Sequence, residues 1–472
     1  MLICPLGEVS WDQVGLPKNG MKAPGFRHGD EIQGCFNSRQ NSLLYSFVKH
    51  KMSEEIIYGC QQNLISPDKE LAAVLEFICS ESNKLTNSGI YYARQLFFKT
   101  KKIVGKYDLE AEYKTNPHFQ ALYSQAAQQI LRSVAESFKS FKELSNRFRR
   151  GELKNKPFPP NYRKPKGLAL VTYPKQALKL IDGLIRIPLG NTVKRWFKLD
   201  SFTLIMPSNL KFEDIKELRI LPRNRCFYVE FVYEQKSVDL VSLDSSKVLG
   251  IDHGVGNWLT CVSNIGTSFI VDGLKLKSIN QFYNKQIATI KEGQPQGFWS
   301  NKLAAITEKR NRQMRDAVNK VARIVINHCL VNKIGTVVFG WNEGQKDSSN
   351  MGKNNNQKFV QIPTAKLKAR IAQLCEQYGI QFVETEESYT SQTSFLDNDV
   401  LPKFGEKPDR WHSSGQRVVR GLFKTAKNLL INADCNGAAN VARKVAATLG
   451  KDLAGVSRGA LSTPLRVHFW TP

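Results

Sequence analysis

Three acidic positions in the second half of this 472-residue chain have the residue types and setting for chemistry. Asp252 ends the apolar run VLGIDHG, and Gly254 and Gly256 then turn the chain into a second apolar run, NWLTCVS. A carboxylate at the mouth of a buried strand is costly unless a cation or hydrogen bonds neutralise it. Mg²⁺ takes hard oxygen ligands and keeps several waters, so it suits such a place. An ordinary Asp-containing turn, or a phosphate-binding turn of the sugar-kinase kind, has the same appearance. Asp434 in LINADCNGAANVARK stands at a helix start, where its simplest role is an N-cap contributing about 1 kcal/mol. Glu386 and Glu387 in FVETEESYTSQTS close a strand beside a Ser/Thr/Tyr turn. Adjacent strand residues face opposite sides, so only one of the two can look towards a shared site.

Three carboxylates on three elements fit two-metal phosphodiester hydrolysis, in which metals ~3.5–4 Å apart activate water and stabilise the leaving oxygen. Glu386, in the polar position just before the SYTS turn, is the expected third ligand beside Asp252 and Asp434, with two Mg²⁺ ions. Glu387 is then expected to face away and form a hydrogen bond or ion pair. Glu343, in the Gly-bounded loop NEGQK, is the other candidate, on a less rigid element.

Such ligands need an α/β frame. Residues 246–472 read as three strands, helices, a strand, a helix, a strand, a loop and a helix, a mixture that predicts an RNase H-like α/β domain. Its long basic helix places Ala317, Val318, Val321, Ile324 and Val325 on one side and leaves Arg310, Arg312, Arg315, Lys320 and Arg323 more exposed. Residues 151–245 carry short β-like runs separated by turn residues, from GLALVTY to the alternating CFYVEFVYE, and suggest a small β-barrel. The run EEIIYGCQQNLI in residues 52–65 supplies another strand of it, which makes the helical stretch 66–150 an insertion. That stretch starts at Ser66-Pro67 and shows apolar residues at helical spacing, Leu71, Val74, Leu75 and Ile78 among them. Residues 1–51 read as an extension, ordered or not.

The charge balance is +26, from 68 Lys+Arg against 42 Asp+Glu, which points to a polyanionic partner. Candidate contacts are Lys139, Lys142 and Arg147 at the end of the helical stretch, Tyr162, Arg163 and Lys164 in the aromatic and basic linker PPNYRKPKG, and Arg310 and Arg315 on the long helix. A solvated helix face is the plainer reading of the helical ones; interleaved aromatic and basic residues suit RNA backbone contacts with base stacking. No apolar stretch reaches the ~18 residues of a membrane span without a charge or amide, and the N-terminus lacks a basic signal-peptide start. Nine scattered cysteines, none in a CxxC pair, suggest reduced thiols in a cytoplasmic protein.

The blocks GIDHGVGNWLTCVSN, VVFGWNEGQKDSSNMGKNNNQKFVQIP, TEESYTSQTSFLDND and RGLFKTAKNLLINADCNGAANVARK resemble the RuvC-like nuclease domain of the TnpB family. These are transposon-encoded RNA-guided endonucleases related to the miniature type V CRISPR effectors. YGCQQNLI, YYARQLFFKT, SQAAQQILRSVAESFKSF and PPNYRKP are similar to the family's wedge and recognition lobes, so the resemblance spans about residues 52–466. It implies a multidomain α+β protein: a wedge β-barrel with an inserted helical recognition domain, then an RNase H-like RuvC domain. It also implies a guide RNA and a double-stranded DNA target cut next to a short motif; it says nothing of oligomeric state. Asp252 matches the first RuvC aspartate and Asp434 the last, and Arg420 falls in the RGLF segment of the loop flanking the catalytic centre.

Two departures stand out. Gly340 occupies the position where most members end the fourth strand with glutamate, and residues 391–430 lack the two CxxC pairs of the zinc ribbon. A subgroup shares this glycine and the EESYTS segment. No zinc is therefore expected, and the 391–430 target-nucleic-acid loop should be held by packing of Phe395, Leu396, Trp411 and Leu422. Two rivals to an active nuclease are a nuclease-inactive RNA-guided DNA-binding protein, which Gly340 favours, and a recombination enzyme, whose chemistry needs no guide-binding lobe.

Overall fold

The computed structural model describes residues 57–235, 242–342 and 362–470. The N-terminal extension, Glu343 and the Asn-rich loop after it lie outside the described residues.

Strand β1 (Ile57–Ile65) leads into helices α1 (Lys69–Thr100), α2 (Lys106–Tyr113), α3 (Pro117–Gln120) and α4 (Ser124–Arg149). The cap of α1 is Asp68, just after the Ser66-Pro67 pair: its carboxylate accepts from the Leu71 amide at 2.8 Å. The chain returns through β2 (Val171–Pro174), β3 (Lys179–Ile181), β4 (Leu184–Pro188), α5 (Asn191–Phe197), β5 (Ser201–Ile205), β6 (Ile215–Arg223) and β7 (Cys226–Gln235).

These strands do not close into the expected barrel. They form an antiparallel four-stranded sheet, β1-β7-β6-β2, and a separate three-stranded one, β3-β4-β5. The reason is local. The tight Asp182-Gly183 turn, with φ of 48° and 75°, folds β3 back onto β4, and β5 pairs with β4 along its whole length. Hairpin pairing leaves no strand to bridge the two sheets. Both still share one core, in which Tyr173, Phe231, Ile187 and Phe202 pack with Leu75, Ile78, Leu131 and Phe138 of α1 and α4.

The second half contains β8 (Asp244–His253), β9 (Asn257–Ser263), β10 (Ser268–Asp272), α6 (Leu274–Lys291), α7 (Asn301–Val331), β11 (Ile334–Gly340), α8 (Thr364–Gln377) and β12 (Gln381–Thr385). Then come β13 (Gln416–Val419), β14 (Leu422–Lys424), β15 (Leu430–Asn432), α9 (Ala433–Ala446), a short helix Arg458–Ser462 and β16 (Leu465–Val467). The main sheet has the order β12-β11-β8-β9-β10-β16. In it β12, β11 and β8 run parallel, and β9 is antiparallel to both its neighbours.

Alternation along the strands sorts the two faces. Leu249 and Ile251 of β8 and Val337 and Phe339 of β11 pack with α7 and α8. Val248 and Val338 face the other way, onto Val441 and Ala442 of α9. Gly250 is needed there, because a β-carbon would stand 2.4 Å from the Ala438 carbonyl oxygen of α9. By the same parity Asp252 and Gly340 look to the α9 side.

Helix α7 also seats the β6–β7 hairpin. Glu308, fully buried, accepts from Tyr228 Oη at 2.5 Å and Asn224 Nδ2 at 2.6 Å. Among the described residues no helix is long and apolar enough to cross a membrane.

Candidate active site

The site forms where β8, β11 and β12 end on one edge of the sheet, the usual ligand position in sheets with parallel strands. Asp252 is next to last in β8. Its carboxylate fits against α9 because residue 437 is glycine; a β-carbon there would stand 2.9 Å from Asp252 Oδ2. Asp434 lies in the first turn of α9 but is not the cap. Asn432 is, accepting from the Asp434 and Cys435 amides at 3.0 Å each. The capping work done elsewhere, Asp434 turns its oxygens outward: Oδ1 accepts from Arg417 at 2.9 Å and Oδ2 from Asn257 Nδ2 at 2.6 Å.

The two glutamates have exchanged the surroundings expected of them. Glu386 forms an ion pair with Lys444, and its Oε2 accepts from the Ser388 amide at 2.6 Å. Burial raises the Glu386 pKa, but the Lys444 and Ser388 hydrogen bonds outweigh it and leave the group below its ordinary value. Glu387 is the one that turns into the site. It continues the parity of Val383, which packs with the α9-facing cluster, and its carboxylate fills the space above Gly340. Asn342 Oδ1 holds its backbone amide at 2.9 Å, and His253 Nε2 lies 3.5 Å from Oε1.

Burial, then the charge of Asp434, pushes the Asp252 carboxyl up to about 7. Burial, then the charges of Asp252 and Glu386, pushes Glu387 up to about 8. Buried like charges raise each other's pKa in this way when no cation lies between them. Glu387 Oε1 is also buried without a hydrogen-bond partner among the described residues. The donors are all hard oxygens, the type Mg²⁺ takes, so the set fits a divalent cation even though no preformed cluster of three or more acidic, His or Cys ligands occurs among the described residues.

The loop after Glu387 is fastened to α9 by two fully buried asparagines. Asn436 accepts from the Phe395 amide at 3.0 Å and donates to the Thr393 carbonyl at 2.8 Å. Asn440 donates to the Thr390 and Thr393 carbonyls at 2.9 and 2.7 Å. The loop itself is tied by two aspartates. Asp399 accepts from the Ser394 and Ser414 amides and the Ser413 and Ser414 hydroxyls at 2.5–3.1 Å. Asp397 accepts from Ser394 Oγ at 2.6 Å and the Ala426 amide at 2.8 Å. Phe395 is buried with Leu396 against it, and Trp411 packs on Tyr389 with ring centroids 5.8 Å apart. Phe423, fully buried in the same cluster, takes the place expected of Leu422, and the two aspartates carry no signal in the sequence pattern.

Arg420 is exposed and overhangs the turn after Asp252; a β-carbon on Gly256 would stand 3.5 Å from its guanidinium. Arg417, three residues earlier, is the one that touches a candidate ligand. A cleft of about 390 Å³ lined by Ser391, Gln392, Gln416 and Arg417 opens beside it.

The expected nucleic-acid contacts divide. Tyr162 is exposed and stacks on Arg94 of α1, whose guanidinium lies 5.5 Å from that ring and 5.1 Å from Phe98. Asn83 and Asn87 fasten the 163–164 segment to α1, so Arg163 and Lys164 are presented on a fixed strap. Lys139 and Lys142 are exposed on α4, and Arg147 is exposed but paired with Glu152 at 3.0 Å. Arg310 and Arg315 are not the outward-facing grips expected of them. Both are half-buried: Arg310 donates to Asn280 at 2.9 Å and stacks on Tyr283 of α6, and Arg315 stacks on Tyr228 of β7.

Residues 230–344 match the family model OrfB_IS605, described as a probable transposase, and residues 365–441 match the model described as Cas12f1-like, TNB domain. Both matches are consistent with the TnpB family. Asp252 and Gly340 fall in the first matched segment, and Glu386, Glu387 and Asp434 in the second. No curated protein matches the chain. Among solved structures, the Cas12f1–sgRNA–target DNA complex is similar at 16% identity and a TM-score of 0.49, over 79% of this chain and 83% of that one. The mini-RNA-guided endonuclease CRISPR-Cas_phi3 is similar at 10% identity and a TM-score of 0.40, over 87% and 94%.

Proposed function

We propose that this chain is an RNA-guided, Mg²⁺-dependent DNA endonuclease of the TnpB type that cuts guide-complementary DNA next to a short motif. The observation that carries the reading is the gathering of Asp252, Glu387 and Asp434 at one sheet edge, with Asp252 and Glu387 held at raised pKa. The strand order, with three parallel strands followed by an antiparallel meander, supports an RNase H-like RuvC domain. The matched family segments support the same class.

Asp252, Glu387 and Asp434 would hold the metal, with Glu387 in the role first assigned to Glu386. When bound, two divalent ions supply an activated water and stabilise the leaving oxygen. Arg417 and Arg420 give the site positive charge on the side where a phosphate must enter. Asn436 and Asn440 fix the loop that follows Glu387, which keeps its carboxylate aimed inwards. On the recognition side, Tyr162, Arg94 and Phe98 offer stacking surface and Lys139, Lys142, Arg163 and Lys164 offer charge for the guide RNA. Sequence would then be read by base pairing, with the protein reading only the flanking motif.

Gly340 and the Arg417–Asp434 pair favour a second reading, a nuclease-inactive RNA-guided DNA-binding protein. One experiment separates the two. The chain purified with its own locus should carry a discrete RNA and cut a matching duplex only with Mg²⁺; guided binding without cutting would select the second reading. Full target affinity without any RNA would defeat both.

A further inference from the structure

Asn257 opens β9 at the side of the site, and nothing in its sequence context marks it. Its Nδ2 donates to Asp434 Oδ2 at 2.6 Å, and its Oδ1 accepts from Arg466 of β16 at 3.3 Å. The same Arg466 nitrogen donates to Asp272 Oδ2 at 3.2 Å, and Asp272 Oδ1 accepts from the Leu274 amide at 2.7 Å, fixing the start of α6. Asp272 and Asn257 are cross-strand partners in β10 and β9, and Arg466 is brought beside them by the parallel β10–β16 pairing.

The chemistry of this chain of contacts is directional. An arginine can only donate and an ionised carboxylate can only accept. A residue between Arg466 and Asp434 must therefore accept at one end and donate at the other, which an amide does and an ionised carboxylate, a lysine or an arginine cannot. The donor-only arginine also fixes which way the Asn257 amide points. We propose that Asn257, oriented by Arg466 and Asp272, is a positioning residue that sets the rotamer of Asp434 for a divalent cation. This rests on the metal-dependent reading above. The other partner of Asp434, Arg417, sits on the exposed strand β13, whereas Asn257 is tied to the sheet. Asn257 thus holds one oxygen of Asp434 in place while the Arg417 side stays open to exchange.

The test is Tb³⁺ luminescence titration of the full chain, with Asp252→Asn as the background for ions bound elsewhere, alongside metal-free thermal melts. Outer-shell partners typically affect metal affinity by ~10–100-fold. Asn257→Leu should therefore raise the half-saturating Tb³⁺ concentration about tenfold while the metal-free melt stays close to wild type. Arg466→Gln, at a partly exposed position, should raise it less, Arg466→Lys should restore it, and Asn257→Leu/Arg466→Gln should be no worse than Asn257→Leu alone. Unchanged half-saturation in both single variants, or additive effects in the double, overturns the relay. A wild-type chain with no Asp252-dependent Tb³⁺ site would overturn the metal reading itself.

Discussion

Gly340 and Glu387 share one space: a β-carbon on residue 340 would stand 2.7 Å from Glu387 Oε1 and 3.0 Å from Val441 Cγ2. The strand end that lacks a carboxylate of its own is filled by one arriving from the neighbouring strand, whose Thr385 pairs with Gly340. Glycine here is a steric requirement of the Glu387 carboxylate, not a vacancy.

A swap follows from that packing. Glu387→Gly should lower cleavage by more than about a hundredfold, above the ~10–100-fold typical of outer-shell changes. Gly340→Glu/Glu387→Gly, which moves the carboxylate back across the strand pair, should recover part of the loss. Gly340→Ala alone should reduce cutting by displacing Glu387. Single-turnover cleavage with guided DNA binding as the control measures all three, and no recovery in the double variant would argue against interchangeable positions.

Glu386 should behave differently. Lys444 is almost fully buried, with Glu386 and the Pro402 carbonyl as its partners. Glu386→Gln should therefore cost about 1–3 kcal/mol of stability, less than the ~3–5 kcal/mol of a fully buried pair, with cleavage largely kept. Denaturant melts and cleavage rates measured together distinguish this from loss of a metal ligand.

The raised carboxyls predict a pH dependence with a definite sign. Asp252 and Glu387 have folded values of about 7 and 8, against ordinary values of 3.8 and 4.5. Between about pH 5 and 8 the metal-free native state holds more protons than the unfolded chain, so its stability falls as pH rises through that window and levels off above it. Asp252→Asn should flatten the slope, and Mg²⁺ should oppose it by binding the deprotonated pair. Metal-free melting temperatures from pH 5 to 9, repeated with Mg²⁺, check both.

The recognition surface allows a sharp contrast. Tyr162→Ala should weaken RNA binding by roughly 1–3 kcal/mol, the value of a base stacked on an aromatic ring. Arg310→Ala should leave RNA affinity nearly unchanged and instead lower the melting temperature, because its guanidinium is used between α6 and α7. Filter binding and thermal melts on the same preparations compare the two.

Much of the frame was legible because apolar runs such as VLGIDHG and NWLTCVS bury both faces and read as strands at once. Asp252 and Asp434 announced themselves by position. The choice between Glu386 and Glu387 was not legible from local polarity, because it depends on parity carried from Val383 and on the space left by Gly340 across the sheet. Strands β13 to β16 are three or four residues long, too short for alternation to register. The barrel failed for a similar reason: hairpin turns are written locally, while closure depends on partners far apart in the chain. Arg310 looked free because helical periodicity tells which side of α7 is polar but not that α6 covers it.

The loop from Ser391 to Leu430 has one more consequence. Asp397 and Asp399 tie Ser394, Ser413, Ser414 and Ala426 together. Burial raises the Asp399 pKa, but the Ser414, Ser394 and Ser413 hydrogen bonds outweigh it and leave the group low. The tie is therefore present at neutral pH and weakens only as acid protonates the carboxylate. A fastening made of carboxylates, hydroxyls and amides, in a loop without cysteine, has no thiolate to oxidise. Oxidative stress, which would slacken a cysteine-bound clasp, would leave this one shut.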